Sequence, residues 1–378
     1  MKVLYLGVYK DGTGYAKAAQ DYILALDSAG VDVVPRPIKL NGSQPKIPDR
    51  ILELEAKPNR GPYDAVIQHI LPSFFDYNGY IPQNIGMYAT ETDRLPPEWV
   101  DKVNTMDRAW VFNESSLTAS HTSGVRVPVK VMPHAADVTR YQKRYSPLPI
   151  KDVIKDDFTF YFIGEYNKRK NFAALLQAFH LEFEPEEPVQ LVLKFSCPIP
   201  IKDEIEAIRF SHEIENYIKR LKDMMKIHAS AESYKKEIVI SQSLSETDIM
   251  RLHATGDCFV CPSHGEAWCI PAFDAMAMGK TPIVTDHGGF REYIDHFTGY
   301  LVDSTPAPVF GMENNSLPGM FTSRERWRQV DIDHLRLAMR VAYNDRGNNR
   351  KVAGGIKRAY DFSYEKVGAR MVEKLNGS

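Results

Sequence analysis

The sequence predicts an α/β protein built from two Rossmann-like, doubly wound domains. Three observations carry that expectation. A chain of 378 residues is too long for one ordinary core and suits two domains of ordinary size. Short apolar runs alternate with helical or loop segments, the pattern of a parallel sheet covered by helices. The alternation runs twice, on either side of a polar, proline-containing stretch from Tyr141 to Asp157 (YQKRYSPLPIKDVIKDD) that reads as a linker.

In the first series KVLYLGVY is a strand, Gly12 to Gly14 a turn, and Tyr15 to Ala29 an amphipathic helix stopped at Gly30. VDVVPRPI follows as a strand, then a polar, proline-bearing connection, then the short apolar runs AVIQHIL, NIGMYAT, RAWVFN and VKVMPH. The second series opens with FTFYFIG and a helix from Asn171 to Leu181, then VQLVLKFS, a charged helix from about Asp203 to Ala231, and EIVISQ. A short helix from Glu246 to Ala254, the strand DCFVCPS, a helix from Pro271 to Met278 and the strand TPIVTD continue it. Ser304 to Arg326 lacks periodicity and is expected to be an ordered surface loop, and helical spacing returns from about Asp333 to Leu375. The domains expected are 1–145, 146–345, and a terminal helical segment 346–378 packing back toward the first.

With 43% hydrophobic and 25% charged residues the chain is ordinary globular material. Lysine plus arginine (47) nearly balances aspartate plus glutamate (49), so net charge supplies no general attraction to nucleic acid or membrane. The opening apolar run meets charge at Lys10 and Asp11, which fits a buried strand rather than a signal peptide. No run reaches the roughly 18 apolar residues of a membrane span. Four cysteines make no disulfide framework, and a reducing cytoplasmic setting is expected. Cys258 and Cys261 lie three apart on one strand, pointing to opposite faces, so they are read as core residues rather than metal ligands.

Open α/β sheets bind ligands at the carboxyl ends of their strands, so the loops that follow strands are where chemistry is expected. After the first strand, Asp11-Gly12-Thr13-Gly14-Tyr15 offers backbone N–H groups at a helix start, while Lys17 occupies the third glycine position of a dinucleotide fingerprint. Gly164-Glu165-Tyr166-Asn167-Lys168-Arg169-Lys170-Asn171 sets three cations before a helix whose N-terminus is already positive, a conflict that a bound diphosphate would resolve. Ser263 to Asp274 (SHGEAWCIPAFD) carries Glu266 on a loop and Asp274 in the first helical turn, with Pro271 suited to open the helix. Carboxylates there are natural acceptors for sugar and ribose hydroxyls, although an acid in a first turn also stabilises its helix. Asp286-His287-Gly288-Gly289 is a further glycine turn; His287 alone reads more simply as structural or exposed.

Taken in order, these blocks resemble glycosyltransferase family 4. The likeness is clearest in SHGEAWCIPAFDAMAMGKTPIVTDHGGFREYI, similar to that family's Glu-x7-Glu block and following glycine turn. FIGEYNKRKNFAALLQAF, LPPEWVDKVNTMDRAWVFNESS and DFSYEKVGARMV support it. The resemblance implies a GT-B fold, two Rossmann-like domains facing across a cleft, and retaining transfer of a sugar from a nucleotide-diphosphate donor, UDP or GDP by preference. It implies that Glu266 meets the donor sugar, Lys170 the diphosphate and Asp274 the ribose. Gly14 would approach the phosphates or the acceptor. Gly164, Arg169, Ala267, Trp268, Cys269 and Ile270 complete the expected donor contacts. Departures from the family pattern are Asp274 for a glutamate, Ala267-Trp268-Cys269 for Gly-Phe-Gly, and Glu165 for an arginine, with Arg169 as its substitute. In place of the family's histidine of the first domain stand Glu91, as a catalytic candidate, and more weakly His69.

The resemblance implies no cofactor beyond the nucleotide-sugar co-substrate and no catalytic metal. Asp331-Ile332-Asp333 mimics a metal-binding Asp-x-Asp, but Asp333 is expected to cap the helix that follows. Lys222, on the charged helix, is expected to play no part in nucleotide binding. The acceptor is open among glycan, small molecule, protein, lipid and modified nucleobase, with a neutral one ranked first. The alternative functions are a catalytically inactive nucleotide-sugar-binding protein and a nucleotide-sugar epimerase of similar architecture; a nicotinamide-dependent oxidoreductase is disfavoured by Lys17.

Overall fold

Strands buried on both faces need apolar residues at nearly every position rather than at alternate ones, and the strands of this chain have that composition. The computed structural model describes residues 1–39, 46–312, 320–346 and 349–377. The connection after the second strand lies partly outside them, at 40–45. The chain divides into two units: Met1–Arg140 with Glu266–Trp268 and the chain from Ala359, and Tyr141–Gly265 with Cys269–Arg358. The sequence alone had put the divisions at 145 and 345.

In the first unit, β1 (Lys2–Gly7), α1 (Gly14–Ser28), β2 (Asp32–Pro37), α2 (Asp49–Glu55), β3 (Ala65–His69), β4 (Asn84–Tyr88), α3 (Pro97–Val103), β5 (Arg108–Val111), α4 (Glu114–Ser123) and β6 (Val129–Val131) follow one another. The six strands form one parallel sheet in the order β2-β1-β3-β4-β5-β6. All five residues of β3 and of β4 are buried, as a central parallel strand requires.

The second unit contains β7 (Phe158–Glu165), α5 (Phe172–Glu182), β8 (Val189–Ser196), α6 (Glu204–Met225), β9 (Ile238–Ile240), α7 (Glu246–Thr255), β10 (Cys258–Cys261), α8 (Ile270–Ala277), β11 (Ile283–Thr285), β12 (Tyr300–Val302), β13 (Ser304–Pro308), β14 (Arg326–Val330), α9 (Ile332–Asn344) and most of α10 (Asn349–Ala359). Its parallel sheet runs β12-β11-β10-β7-β8-β9. Counted from its own first strand this is the 3-2-1-4-5-6 order of Rossmann sheets.

The last helix, α11 (Tyr364–Leu375), belongs to the first unit. Its Val367, Met371 and Leu375 join Tyr5, Tyr22, Ile67, Met87 and Trp110 in that unit's core. Gly368 makes this approach possible: a Cβ there would lie 2.2 Å from the Ala25 carbonyl oxygen of α1.

Two expectations are corrected. The Ser304–Arg326 stretch is not all loop, because β13 and β14 pair antiparallel from Ser304 opposite Val330 to Pro308 opposite Arg326. Pro306 and Pro308 hide the strand alternation, since proline suits only a sheet edge. Val309, Met312 and Trp327 form a small core at this hairpin, and residues 313–319 lie outside the described residues. The cap of α9 is Asp331, whose carboxylate accepts from His334 N–H at 3.0 Å; Asp333 sits in the first turn and pairs with Arg336 at 3.0 Å. The helix starts two residues earlier than the apolar run suggested, so the first aspartate takes the cap.

Candidate functional site

In the second unit the sheet reverses direction of growth at β7, with β8 and β9 added on one side and β10 to β12 on the other. A crevice opens at such a point, between the loops that leave β7 and β10. Both loops sought from the sequence are therefore brought together. Arg169 Nη1 donates to the Gly265 carbonyl at 2.6 Å, and His264 N–H donates to the Arg169 carbonyl at 2.8 Å. The Ser263 hydroxyl adds a bond to that carbonyl at 3.0 Å. Arg169 is thus largely a staple between the loops.

The turn Lys168–Lys170 is a single 3-10 turn closed by Asn167, whose side-chain oxygen accepts from Lys170 N–H at 3.1 Å. Asn171 then takes a left-handed conformation (φ 50°) that asparagine tolerates better than most residues, and its amide donates to the Pro262 carbonyl at 3.0 Å. These bonds fix the backbone of the turn, in which Lys170 is only 9% exposed. Glu165 accepts from the Asn167 amide at 2.6 Å and so braces the turn. Gly164 has a packing explanation, because a Cβ would fall 2.5 Å from the Phe162 ring.

Helix α8 begins at Ile270, one residue before the proline, and no side chain caps its N-terminus. Cys269 precedes it at φ 73°, a left-handed conformation costing a non-glycine residue on the order of 1–2 kcal/mol. Its carbonyl accepts from the Tyr293 hydroxyl at 3.0 Å, which helps hold the strained residue. Strain of this kind gathers where a backbone is shaped for a ligand. Because α8 starts at Ile270, Asp274 is its fifth residue and lies beyond the first turn where the sequence put it; it is buried at 3% exposure, and its Oδ1 accepts from the Tyr141 hydroxyl at 2.5 Å.

Glu266, Ala267 and Trp268 lie on the same loop but group with the first unit. There the Asn113 side chain, itself the cap of α4, donates to the Ala267 carbonyl at 2.7 Å, and the Trp268 ring meets those of His134 and Phe362. Glu266 is 5% exposed. The first unit's own sheet reverses between β1 and β3. Gly14 starts α1 there, after the Thr13 cap, and a Cβ on it would meet nothing within 4 Å, so packing gives no reason for glycine. Glu91 is half-buried in the loop after β4. His287 stands directly before a short 3-10 turn without a side-chain cap bond to it, and Gly288 follows at φ 65°.

His69 ends β3, fully buried, with Nδ1 2.6 Å from the Tyr5 hydroxyl, and burial pulls its pKa down to about 3. His264 is pulled down to about 4, first by burial, against the bond from its Nδ1–H to the Arg328 carbonyl and with help from Lys168 and Arg169. Both are neutral in the folded protein, whereas unfolded histidines titrate near 6.5. Their stabilising contribution is complete above that value and declines as pH falls toward the folded values. Unfolding free energy is expected to drop by about 1.4 kcal/mol per pH unit for each of them between pH 6 and 5. Urea titrations should show the slope roughly halved in His69→Gln, and an unchanged slope would contradict this account.

Sequence reasoning missed several groups. Tyr141 was hidden in the polar linker, and the pairing of β14 with the β10 loop had no local signal. Arg328 N–H donates to the His264 carbonyl at 2.8 Å, and Trp327 stacks on the His264 ring at 4.3 Å. Asn113 and Asn171 did leave a trace, since each is an asparagine directly before a helix. Lys222 is not a solvated bystander. It is buried, donating to Glu237 at 2.7 Å, and Glu237 also holds His180.

Residues 149–309 match the family model described as glycosyl transferases group 1. No curated protein matches the sequence. Among solved structures, HepE of Anabaena in complex with UDP superposes with a TM-score of 0.65 at 16% identity, over 100% of both chains. Sucrose-phosphate synthase of Thermosynechococcus elongatus gives 0.64 at 15%, over 100% of this chain and 98% of that one. The trehalose-6-phosphate synthase OtsA gives 0.64 at 11%, over 100% and 99%. The fold is therefore of the GT-B class, with two doubly wound units. Within that class the likeness of residues 149–309 to group 1 glycosyl transferases is in keeping with the resemblance to family 4 drawn from the motifs.

Proposed function

We propose that this protein transfers a sugar from a nucleotide-diphosphate donor to an acceptor with retention of anomeric configuration and without a metal. The observation that carries the proposal is the joining by Arg169 of the β7 loop, which carries Lys170, to the β10 loop, which runs on to the start of α8, where no side chain caps the N-terminus. Cationic and N–H groups so arranged suit a diphosphate, whose growing charge they would meet as the sugar departs. Glu266 would face the donor sugar, and the ribose would lie near Asp274. UDP is the favoured nucleotide, supported by the complexes of HepE with UDP and UDP-glucose. Glu91 is retained as the group that would act as base if attack were inverting. A cytosolic setting is supported by four cysteines that form no disulfide, three of them buried, and no helix among the described residues is long and apolar enough to cross a membrane.

Thermal shifts with UDP, GDP and ADP should select one nucleotide, because a ligand that binds the folded state raises its apparent stability. With the matching sugar donor, NMR of the first turnovers should show the product's anomeric proton in the donor's configuration, at the same rate with EDTA present. Inversion, or activity lost to chelator and restored by a divalent metal, would overturn the mechanism. Binding of a nucleotide sugar with no turnover toward any acceptor would favour the inactive binding protein.

A further inference from the structure

We infer that α6 is the surface on which a second copy of this chain docks, the two helices lying antiparallel about a two-fold axis at Asn216. The inference does not depend on the donor reading above. α6 runs from Glu204 to Met225, about 33 Å at the usual rise, and buries Phe210, Ile214, Ile218 and Lys222 along one side. On the opposite side Ile205, Arg209, Asn216, Arg220 and Asp223 recur at helical spacing, and all are exposed. Large apolar side chains stand in water at both ends: Ile205 (62% exposed) and Ile208 (50%) at the start, Met224 (69%) and Ile227 (37%) at the close. Apolar groups gathered in this way mark a surface that a partner covers.

The charge pattern says which partner. From Asp203 to Glu215 the acids Asp203, Glu204, Glu206, Glu213 and Glu215 stand against Arg209 alone. From Asn216 to Lys226 the sign reverses: Lys219, Arg220 and Lys226 are exposed against Asp223, while Lys222 is turned in to Glu237. A surface acidic at one end and basic at the other complements itself only when reversed, and reversal is what a two-fold axis supplies. With Asn216 opposite Asn216, Ile205 meets Ile227 and Arg209 meets Asp223, because each pair is equally spaced about that residue. Glu213 comes opposite Arg220 on one flank, and Glu215 opposite Lys219 on the other. A parallel pairing would set acid on acid. The apolar ends supply most of the affinity, since exposed ion pairs are weak, and the charges supply direction and register. The one pairing this disturbs is loose: Lys219 meets Glu232 at 3.5 Å, with both groups exposed.

The test is sedimentation equilibrium of the full chain and of two charge-reversed variants. Glu213→Lys/Glu215→Lys makes the outer face basic at both ends of the contact, and Lys219→Glu/Arg220→Glu makes it acidic. The unaltered protein should sediment as a dimer that weakens with added salt. Each variant alone should dimerise at least about tenfold more weakly, and their equimolar mixture should recover a dimer within about threefold of the original affinity. Melting temperatures report whether the fold is kept. Ile205→Ser/Ile227→Ser leaves the charges in place and should also weaken the dimer by at least about tenfold. A monomeric unaltered protein would overturn the inference. So would full dimerisation of either charge variant, a folded mixture that stays monomeric, or an unchanged dimer in Ile205→Ser/Ile227→Ser.

Discussion

Replacing Lys170 with alanine is expected to weaken nucleoside-diphosphate binding by about 10- to 100-fold, the measure of a charge-assisted bond of roughly 1.5–3 kcal/mol. The size follows from where the ammonium sits. Asn167 and Asn171 tie its turn at both ends, and the side chain is almost wholly removed from water. The backbone that carries it is therefore fixed before the ligand arrives, and less of the interaction is spent on ordering a flexible turn. The proper control is Lys219→Ala, whose side chain is 61% exposed, with a pairing to Glu232 at 3.5 Å that solvent screens. Lys222 cannot serve, since its loss would strand the buried Glu237 carboxylate beside His180 and destabilise the unit directly. Calorimetric titration with UDP decides the matter; equal and small effects at Lys170 and Lys219 would remove the phosphate site from this turn.

For Glu266 the expected signature is different in kind. Glu266→Gln should lower turnover by about 10²–10³-fold, the usual cost of one preorganised electrostatic contact to the reacting centre. Affinity for UDP alone should change by less than about threefold, because the proposed partner is the sugar and free UDP carries none. Glutamine preserves the volume and hydrogen-bonding reach of the side chain, so the buried site, 5% exposed, need not repack. Parallel measurement of kcat and of UDP affinity separates the two roles. A comparable loss of UDP affinity would reassign Glu266 to the nucleotide, and unaltered kcat would take it out of the chemistry.

How much of this was legible before the fold was known varies with the kind of signal. Helix and strand positions in both units were readable, because apolar runs, glycine stops and Pro271 act within a few residues of themselves. α5 and α7 were expected within a residue or two of where they lie. The β13–β14 hairpin was not, because its prolines erase the alternation that marks a strand. The α9 cap was placed two residues late, since either aspartate of Asp331-Ile332-Asp333 can fill that role and only the helix start chooses between them.

By itself, then, the sequence determined that two αβ series exist, that the loops after KVLYLGVY, FTFYFIG and DCFVCPS carry the polar chemistry, and that three cations precede α5. Only the tertiary structure decided which of those loops meet. The sheet order β12-β11-β10-β7-β8-β9 puts the loops of β7 and β10 side by side, and Arg169 bonds across 96 residues of chain to Gly265. It likewise decided that Tyr141 donates to Asp274, 133 residues away, and that Lys222 turns inward to Glu237 rather than outward to water. The physical reason is one of range. Periodicity and capping record forces between neighbours along the chain, whereas these contacts depend on which strand is laid beside which, a choice set by burial across the whole sheet.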